Sequence, residues 1–189
     1  MNIGVFFGSF NPIHLGHIGI AERFLQEDDL DEVWLSVSPH NPLKVKDGLL
    51  DTDTRVQMAR LAVGENSQIK VVDFEKEMPQ PSYTYEALLE LQKQYPQHRF
   101  ILLIGGDNCG LFDKWRNYNL ILDDFDVWAY PRNKSDVDLK FAQSMRIIEA
   151  PLLDYASTDI RAAIHQGVPS RGLSPRVLKY IADNNLYVE

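Results

Sequence analysis

The chain has 189 residues, 44% hydrophobic and 24% charged, with a net charge of −8 and one cysteine. That length suits one domain able to bury most of its apolar surface, and the negative charge disfavours long nucleic acid or an anionic membrane while allowing a single nucleotide. Cys109 excludes an intramolecular disulfide, and no signal pattern or apolar run near ~18 residues appears, so a cytoplasmic, non-membrane protein is expected.

The first element is an apolar run, Ile3 to Phe7, β-branched or aromatic apart from Gly4 and too short for a helix. It reads as a buried strand. It empties into Gly8, Ser9, Phe10, Asn11, Pro12, Ile13, His14, Leu15, Gly16, His17, after which Ile18, Ala21, Phe24 and Leu25 share a helical face. Gly8 permits a tight turn, and Ser9 and Asn11 offer short polar groups to the free N–H groups of the helix start. Such a junction aims unpaired donors and the helix dipole at one spot, which favours a phosphate. His14 and His17 are expected on one face of the first turn, with Gly16 leaving room for a flat group. Two histidines could instead hold a metal, but zinc needs a third protein ligand, and His40, His98 and His165 lie in a loop, before a strand and at a helix end. Phosphate contact is the preferred reading, and no metal ligation by protein side chains is expected.

Further strands are predicted at Val33 to Val37, Ile69 to Val72, Phe100 to Ile104, Val127 to Tyr130 and Arg146 to Ile148. Helices are predicted at Thr54 to Val63, Tyr85 to Gln94, Ser157 to His165 and Ser174 to Asn184. Ser174 and Pro175 form a good N-cap and first-turn pair. Asp28, Asp29, Asp31 and Glu32, and likewise Asp123, Asp124 and Asp126, read as solvated turns. This alternation predicts an α/β fold: a doubly wound, mostly parallel Rossmann-like sheet with ligands outside the carboxyl ends of its strands. The expected organisation is one domain over 1–189, with a core at 1–150 and a small helical C-terminal part at 151–189.

Four more segments carry polar chemistry. Ser38 to Lys46 is a Pro-rich loop at a strand end whose Lys44 and Lys46 could meet phosphate; on composition alone it is a surface loop. Pro81, Ser82, Tyr83 and Thr84 precede a helix, with Ser82 and Thr84 both acceptable caps, and its free N–H groups could receive a carboxylate. Gly105, Gly106 and Asp107 follow a strand and precede Lys114, Trp115 and Arg116; Asp107 could accept from ribose hydroxyls, and Trp115 on its own reads as packing. Ala156 to Arg161 opens a helix with hydroxyls at its start and an arginine one turn in.

Together these segments resemble a known family. GSFNPIHLGH resembles the GTFDPxHxGH signature of the HxGH nucleotidyltransferases, with Ser9 for Thr, Asn11 for Asp and Phe7 where many members have Gly. The loop at Lys44 resembles a PPHK segment, PSYT and the GGD…KW stretch resemble those of nicotinate-nucleotide adenylyltransferases, and ASTDIR resembles SSTxIR. The resemblance implies an adenylyltransferase of NAD biosynthesis that joins nicotinate mononucleotide and ATP into nicotinate adenine dinucleotide and pyrophosphate. It implies catalytic roles for His14, His17 and Arg161, and ATP contacts from Gly8, Ser9, Phe10, His14, His17, Gly105, Asp107, Ser157, Thr158 and Arg161. Mononucleotide contacts are implied for Asn11, Lys44, Tyr83, Thr84, Asp107 and Trp115, with Mg2+ arriving on the ATP. The alternatives are a pantetheine-phosphate adenylyltransferase and a non-catalytic nucleotide-binding regulator of the same fold. Neither the oligomeric state nor the choice between nicotinate and nicotinamide forms follows from the residues.

Overall fold

Apolar runs without alternation belong to strands covered on both faces, and this sheet is covered that way. The computed structural model describes residues 1–40, 48–130, 141, 143–148 and 155–188, without the side chains of 106 and 107. The described strands are β1 (Asn2–Gly8), β2 (Glu32–Val37), β3 (Ile69–Val72), β4 (Arg99–Gly105), β5 (Asp126–Tyr130) and β6 (Arg146–Ile147). They form one sheet in the order β3-β2-β1-β4-β5-β6, and every described pairing is parallel. The doubly wound expectation therefore holds, in an all-parallel form. The order reverses between β1 and β4, and their carboxyl ends flank the crevice where such sheets bind ligands.

The helices are α1 (Leu15–Phe24), α2 (Thr52–Val63), α3 (Thr84–Gln94), α4 (Tyr118–Asp124), α5 (Ser157–His165) and α6 (Pro175–Asp183). Successive strand residues feed opposite layers, as a period of two requires. Phe6, Leu35, Ile101 and Leu103 join Ala21, Phe24, Met58, Ala59, Val177 and Ile181 on one face. Ile3, Val5, Leu102 and Ile104 join Ala87, Leu88, Leu91, Phe112 and Ile121 on the other. Gly4 interrupts the β1 run because the Leu103 side chain fills its place, 2.5 Å from where a Cβ would sit.

Several local expectations are corrected. Short 3-10 helices at Phe74–Glu77 and Gly106–Lys114, and α4 itself, carry no clear helical period in the sequence. Asp123 and Asp124 end α4 and Asp126 opens β5, so that acidic cluster is not a simple turn. Likewise Glu32 begins β2. The Ser174 cap of α6 is present, accepting from Val177 N at 3.3 Å.

Candidate active site

At the β1–α1 junction the helix is capped by its own histidines, not by Ser9 or Asn11. His14 is the N-cap, one residue outside α1, and its Nδ1 accepts from His17 N at 3.3 Å. His17 Nδ1 accepts in return from His14 N at 3.2 Å. This reciprocal pair has the logic of a capping box, in which each side chain satisfies the other's orphan backbone donor. The rings stack 3.6 Å apart at 22°. A nitrogen that accepts carries no proton, so in the neutral form each imidazole holds its proton on Nε2. In that form each ring carries one N–H donor, the kind of group from which phosphate oxygens accept.

Gly16 makes this possible, for a reason different from the one expected. A Cβ there would lie 2.9 Å from His14 Nδ1 and 3.0 Å from its Cε1, so the flat group over Gly16 is the His14 ring. Gly8 is occupied in the same way: a Cβ would meet the Phe10 ring at 2.6 Å. Phe10 itself sits at φ 47°, a left-handed conformation that costs a bulky residue on the order of 1 kcal/mol. Its buried ring packs edge-on against His17, with centroids 5.0 Å apart.

Polar side chains hold the loop from several directions. Asn11 Nδ2 donates to Gly48 O at 2.7 Å, while Asn11 Oδ1 accepts from Leu50 N at 3.3 Å and from the Tyr187 hydroxyl at 2.8 Å. Arg161 Nη1 donates to Asn11 O at 2.8 Å, and Ser157 Oγ donates to Pro12 O at 3.0 Å. The start of α5 is thereby joined to the β1–α1 loop across 145 residues of sequence.

Arg55 and Glu75 escaped sequence reasoning. Arg55 is fully buried and donates to five neutral acceptors: the carbonyls of Leu50, Ser9, Ser38 and Pro39, and Thr52 Oγ1. It ties the loops after β1 and β2 together. Its one sequence signal is its place three and four residues before Met58 and Ala59 on the buried stripe of α2. Glu75, 3% exposed, accepts at Oε1 from Ser36 Oγ (2.8 Å) and Ser38 Oγ (3.0 Å), and at Oε2 from Ser82 Oγ (2.7 Å). Burial pushes its carboxyl above the ordinary range, against the opposing pull of the Ser82, Ser36 and Ser38 hydroxyls.

Glu75 lines a cavity of about 180 Å3 together with Gly8, Ser9, Ser82, Tyr83, Thr84, Lys114, Trp115 and Arg116. Expected contacts for both nucleotides thus meet in one cleft, joined by His40, which the sequence places only in a loop. Neither expected residue caps α3: Tyr83 is the N-cap, and it makes no side-chain cap bond. Ser82 is turned to Glu75 instead. The Arg116 guanidinium lies 4.6 Å from the Tyr83 ring centre, and Trp115 packs against Phe112. Thr158 and Arg161 line a second cavity of about 550 Å3 with Leu50, His165 and Tyr187. Gly105 extends along the end of β4, its Cβ position bounded by Ile20 and Phe6. Lys44 and Lys46 lie outside the described residues, as does the Asp107 side chain.

The model of the cytidylyltransferase-like family matches residues 5–163. A protein of Flavobacterium johnsoniae named "Probable nicotinate-nucleotide adenylyltransferase" is 44% identical over 99% of each chain. One of the same name from Flavobacterium psychrophilum is 42% identical, also over 99% of each. The solved Plasmodium falciparum nicotinic acid mononucleotide adenylyltransferase complexed with NaAD shares the fold, with a TM-score of 0.84 at 19% identity over 98% of this chain and 97% of that one. By the family match and by relatives aligned along nearly its whole length, the chain belongs to the cytidylyltransferase-like family and, within it, to the nicotinate-nucleotide adenylyltransferases.

Proposed function

We propose that the protein transfers the adenylyl group of ATP to the phosphate of nicotinate mononucleotide. A mononucleotide phosphate oxygen attacks the α-phosphorus in line, one O–P bond forms, the bond to the β-phosphate oxygen breaks, and pyrophosphate leaves. The nucleophile is already an anion near neutral pH, so no general base or covalent intermediate is needed. Catalysis then rests on positioning two polyanions and spreading charge in the transition state. The interlocked His14–His17 pair carries this reading, because it fixes two Nε2–H donors at the β1–α1 junction. Arg161 adds a cation beside the same loop, and the amides of Gly8, Ser9 and Phe10 complete the ATP side together with Gly105, Ser157, Thr158 and Asp107.

In this reading the nicotinate carboxylate lies at the uncapped start of α3, on the Tyr83 and Thr84 amides, and the pyridinium lies against the half-buried Trp115. Asn11, Lys44 and Asp107 serve the mononucleotide. Asn11 does so through the shape it gives the loop, since its side chain already bonds Gly48, Leu50 and Tyr187. Among the described residues no group of three or more His, Cys, Asp or Glu side chains gathers to hold a metal. Mg2+ would arrive on the ATP, held by phosphate oxygens and water, and would there offset charge on the departing pyrophosphate. A cytoplasmic location is proposed with this activity, and no helix among the described residues is long and apolar enough to cross a membrane.

Pyrophosphate release from ATP, compared with nicotinate mononucleotide, nicotinamide mononucleotide and phosphopantetheine as acceptors, tests the assignment. Fastest release with the nicotinate form is expected. Release with phosphopantetheine alone, or with no acceptor, would overturn it.

A further inference from the structure

The Glu75 carboxyl is buried under the cleft, contacts no substrate position assigned above, and is bonded to three hydroxyls from two places: Ser36 and Ser38 at the end of β2, and Ser82 just before α3. A serine at that place has a local alternative. Its Oγ can fold back and accept from the N–H two or three residues on, which here means Thr84 or Tyr85. Ser82 does not do so, because its hydroxyl donates to Glu75 Oε2 at 2.7 Å, and α3 begins with no side-chain cap. Gln80 reinforces the arrangement by donating from Nε2 to the Glu75 carbonyl at 2.7 Å. We propose that Glu75 is a positioning residue for acceptor choice: by holding Ser82 away from α3 it keeps the Thr84 amide, one of the two assigned to the carboxylate above, open to the incoming mononucleotide. The inference rests on the reading that this carboxylate lies at α3.

The consequence is specific to one substrate group. A carboxylate gains from each open N–H, whereas a carboxamide, being neutral, gains less. Losing Glu75 would free Ser82 to cap the helix, and nicotinate would then be disfavoured relative to nicotinamide while ATP handling stayed the same. Glutamine at the same position keeps one acceptor oxygen and adds a donor that the Ser82 oxygen can accept, so Ser82 stays turned away.

The test is the ratio of kcat/KM for nicotinate mononucleotide to that for nicotinamide mononucleotide, measured for the wild type, Glu75→Ala, Glu75→Gln and the double variant Glu75→Ala with Ser82→Ala. Glu75→Ala should lower the ratio about fivefold to tenfold, the equivalent of one N-terminal cap, through KM for the nicotinate form and with KM for ATP unchanged. Glu75→Gln should hold the ratio within about twofold, because the Ser82 hydroxyl keeps a partner at that position. The double variant should recover most of the loss, because no hydroxyl remains to close the helix. A merely structural role would leave the ratio intact and gain nothing from removing Ser82. An unchanged ratio in Glu75→Ala, no recovery in the double variant, or an equal loss in Glu75→Gln would each overturn the proposal. If Glu75→Ala does not fold, a ratio that falls in Glu75→Gln, or in Ser36→Ala with Ser38→Ala, which leaves Ser82 on Glu75, would overturn the proposal. A wild type without preference for the nicotinate form would instead remove the placement of the carboxylate at α3, and this inference with it.

Discussion

The hydroxyl of Tyr187 donates to the side-chain oxygen of Asn11 at 2.8 Å, joining residues 176 positions apart. Tyr187 itself is in the left-handed region, at φ 64°. Burial pushes its phenol far above the ordinary range, against the pull of Arg161 and Arg55, so it stays a donor at any working pH. Tyr187→Phe removes this bond and leaves the ring. The expected result is a loss of about 1 kcal/mol in stability and a fall in kcat with little change in KM for the mononucleotide. Steady-state kinetics beside urea denaturation check it, and an unchanged kcat would show that Asn11 is held without the tail.

Gly16→Ala places a methyl carbon within 3.0 Å of the His14 ring, which must swing off the helix. Both bonds of the reciprocal cap go with it. Turnover should fall by about 100-fold or more, the scale of losing one oriented charge-stabilising donor, whereas KM for the mononucleotide should change little. His17→Ala should give the same pattern.

Trp115→Ala should act on binding. An indole face attracts a pyridinium by about 0.5 to 2 kcal/mol, so KM for nicotinate mononucleotide should rise roughly 2- to 30-fold with kcat nearly constant. A fall in kcat without a rise in KM would place the ring elsewhere.

The strands were readable to within a residue or so because a sheet covered on both faces demands unbroken apolar runs, and Ile69 to Val72 was placed without error. The Gly106–Lys114 turn was not, since its glycines and polar residues show neither period. The histidine motif located the junction. What it could not convey is that His14 lies over Gly16 and that Asn11 serves as both donor and acceptor, a pairing that an Asp could not make with the Gly48 carbonyl. Arg55 and Glu75 stayed hidden for a related reason. Each looks like an ordinary surface charge until distant segments bring Ser9, Ser38 and Ser82 to it.

Arg55→Ala should destabilise the fold by about 3 to 5 kcal/mol, because it takes the donor from four carbonyls at once, that of Ser38 buried and those of Ser9, Pro39 and Leu50 partly so. Urea denaturation measures this directly. A cost below about 1 kcal/mol would mean that the loops after β1 and β2 repack around water.

Two carboxyls give opposite pH dependence. The side-chain and backbone bonds from Thr54 hold Asp51 below the ordinary range, so its contribution is full above the unfolded value and is lost as pH falls through the folded one. Glu75 is raised by burial, so its contribution is full below the unfolded value and is lost as pH rises through the folded one. Stability measured across pH should therefore lose part of its acid-side decline in Asp51→Asn. In Glu75→Gln it should lose part of its decline above the ordinary glutamate range, at most about 1.4 kcal/mol per pH unit.

The most direct measurement is a crystal structure of the protein with a non-hydrolysable ATP analogue. Phosphate oxygens should lie within hydrogen-bond distance of Nε2 of both His14 and His17, with Arg161 alongside. A triphosphate bound away from the β1–α1 junction, with the two imidazoles untouched, would contradict the account.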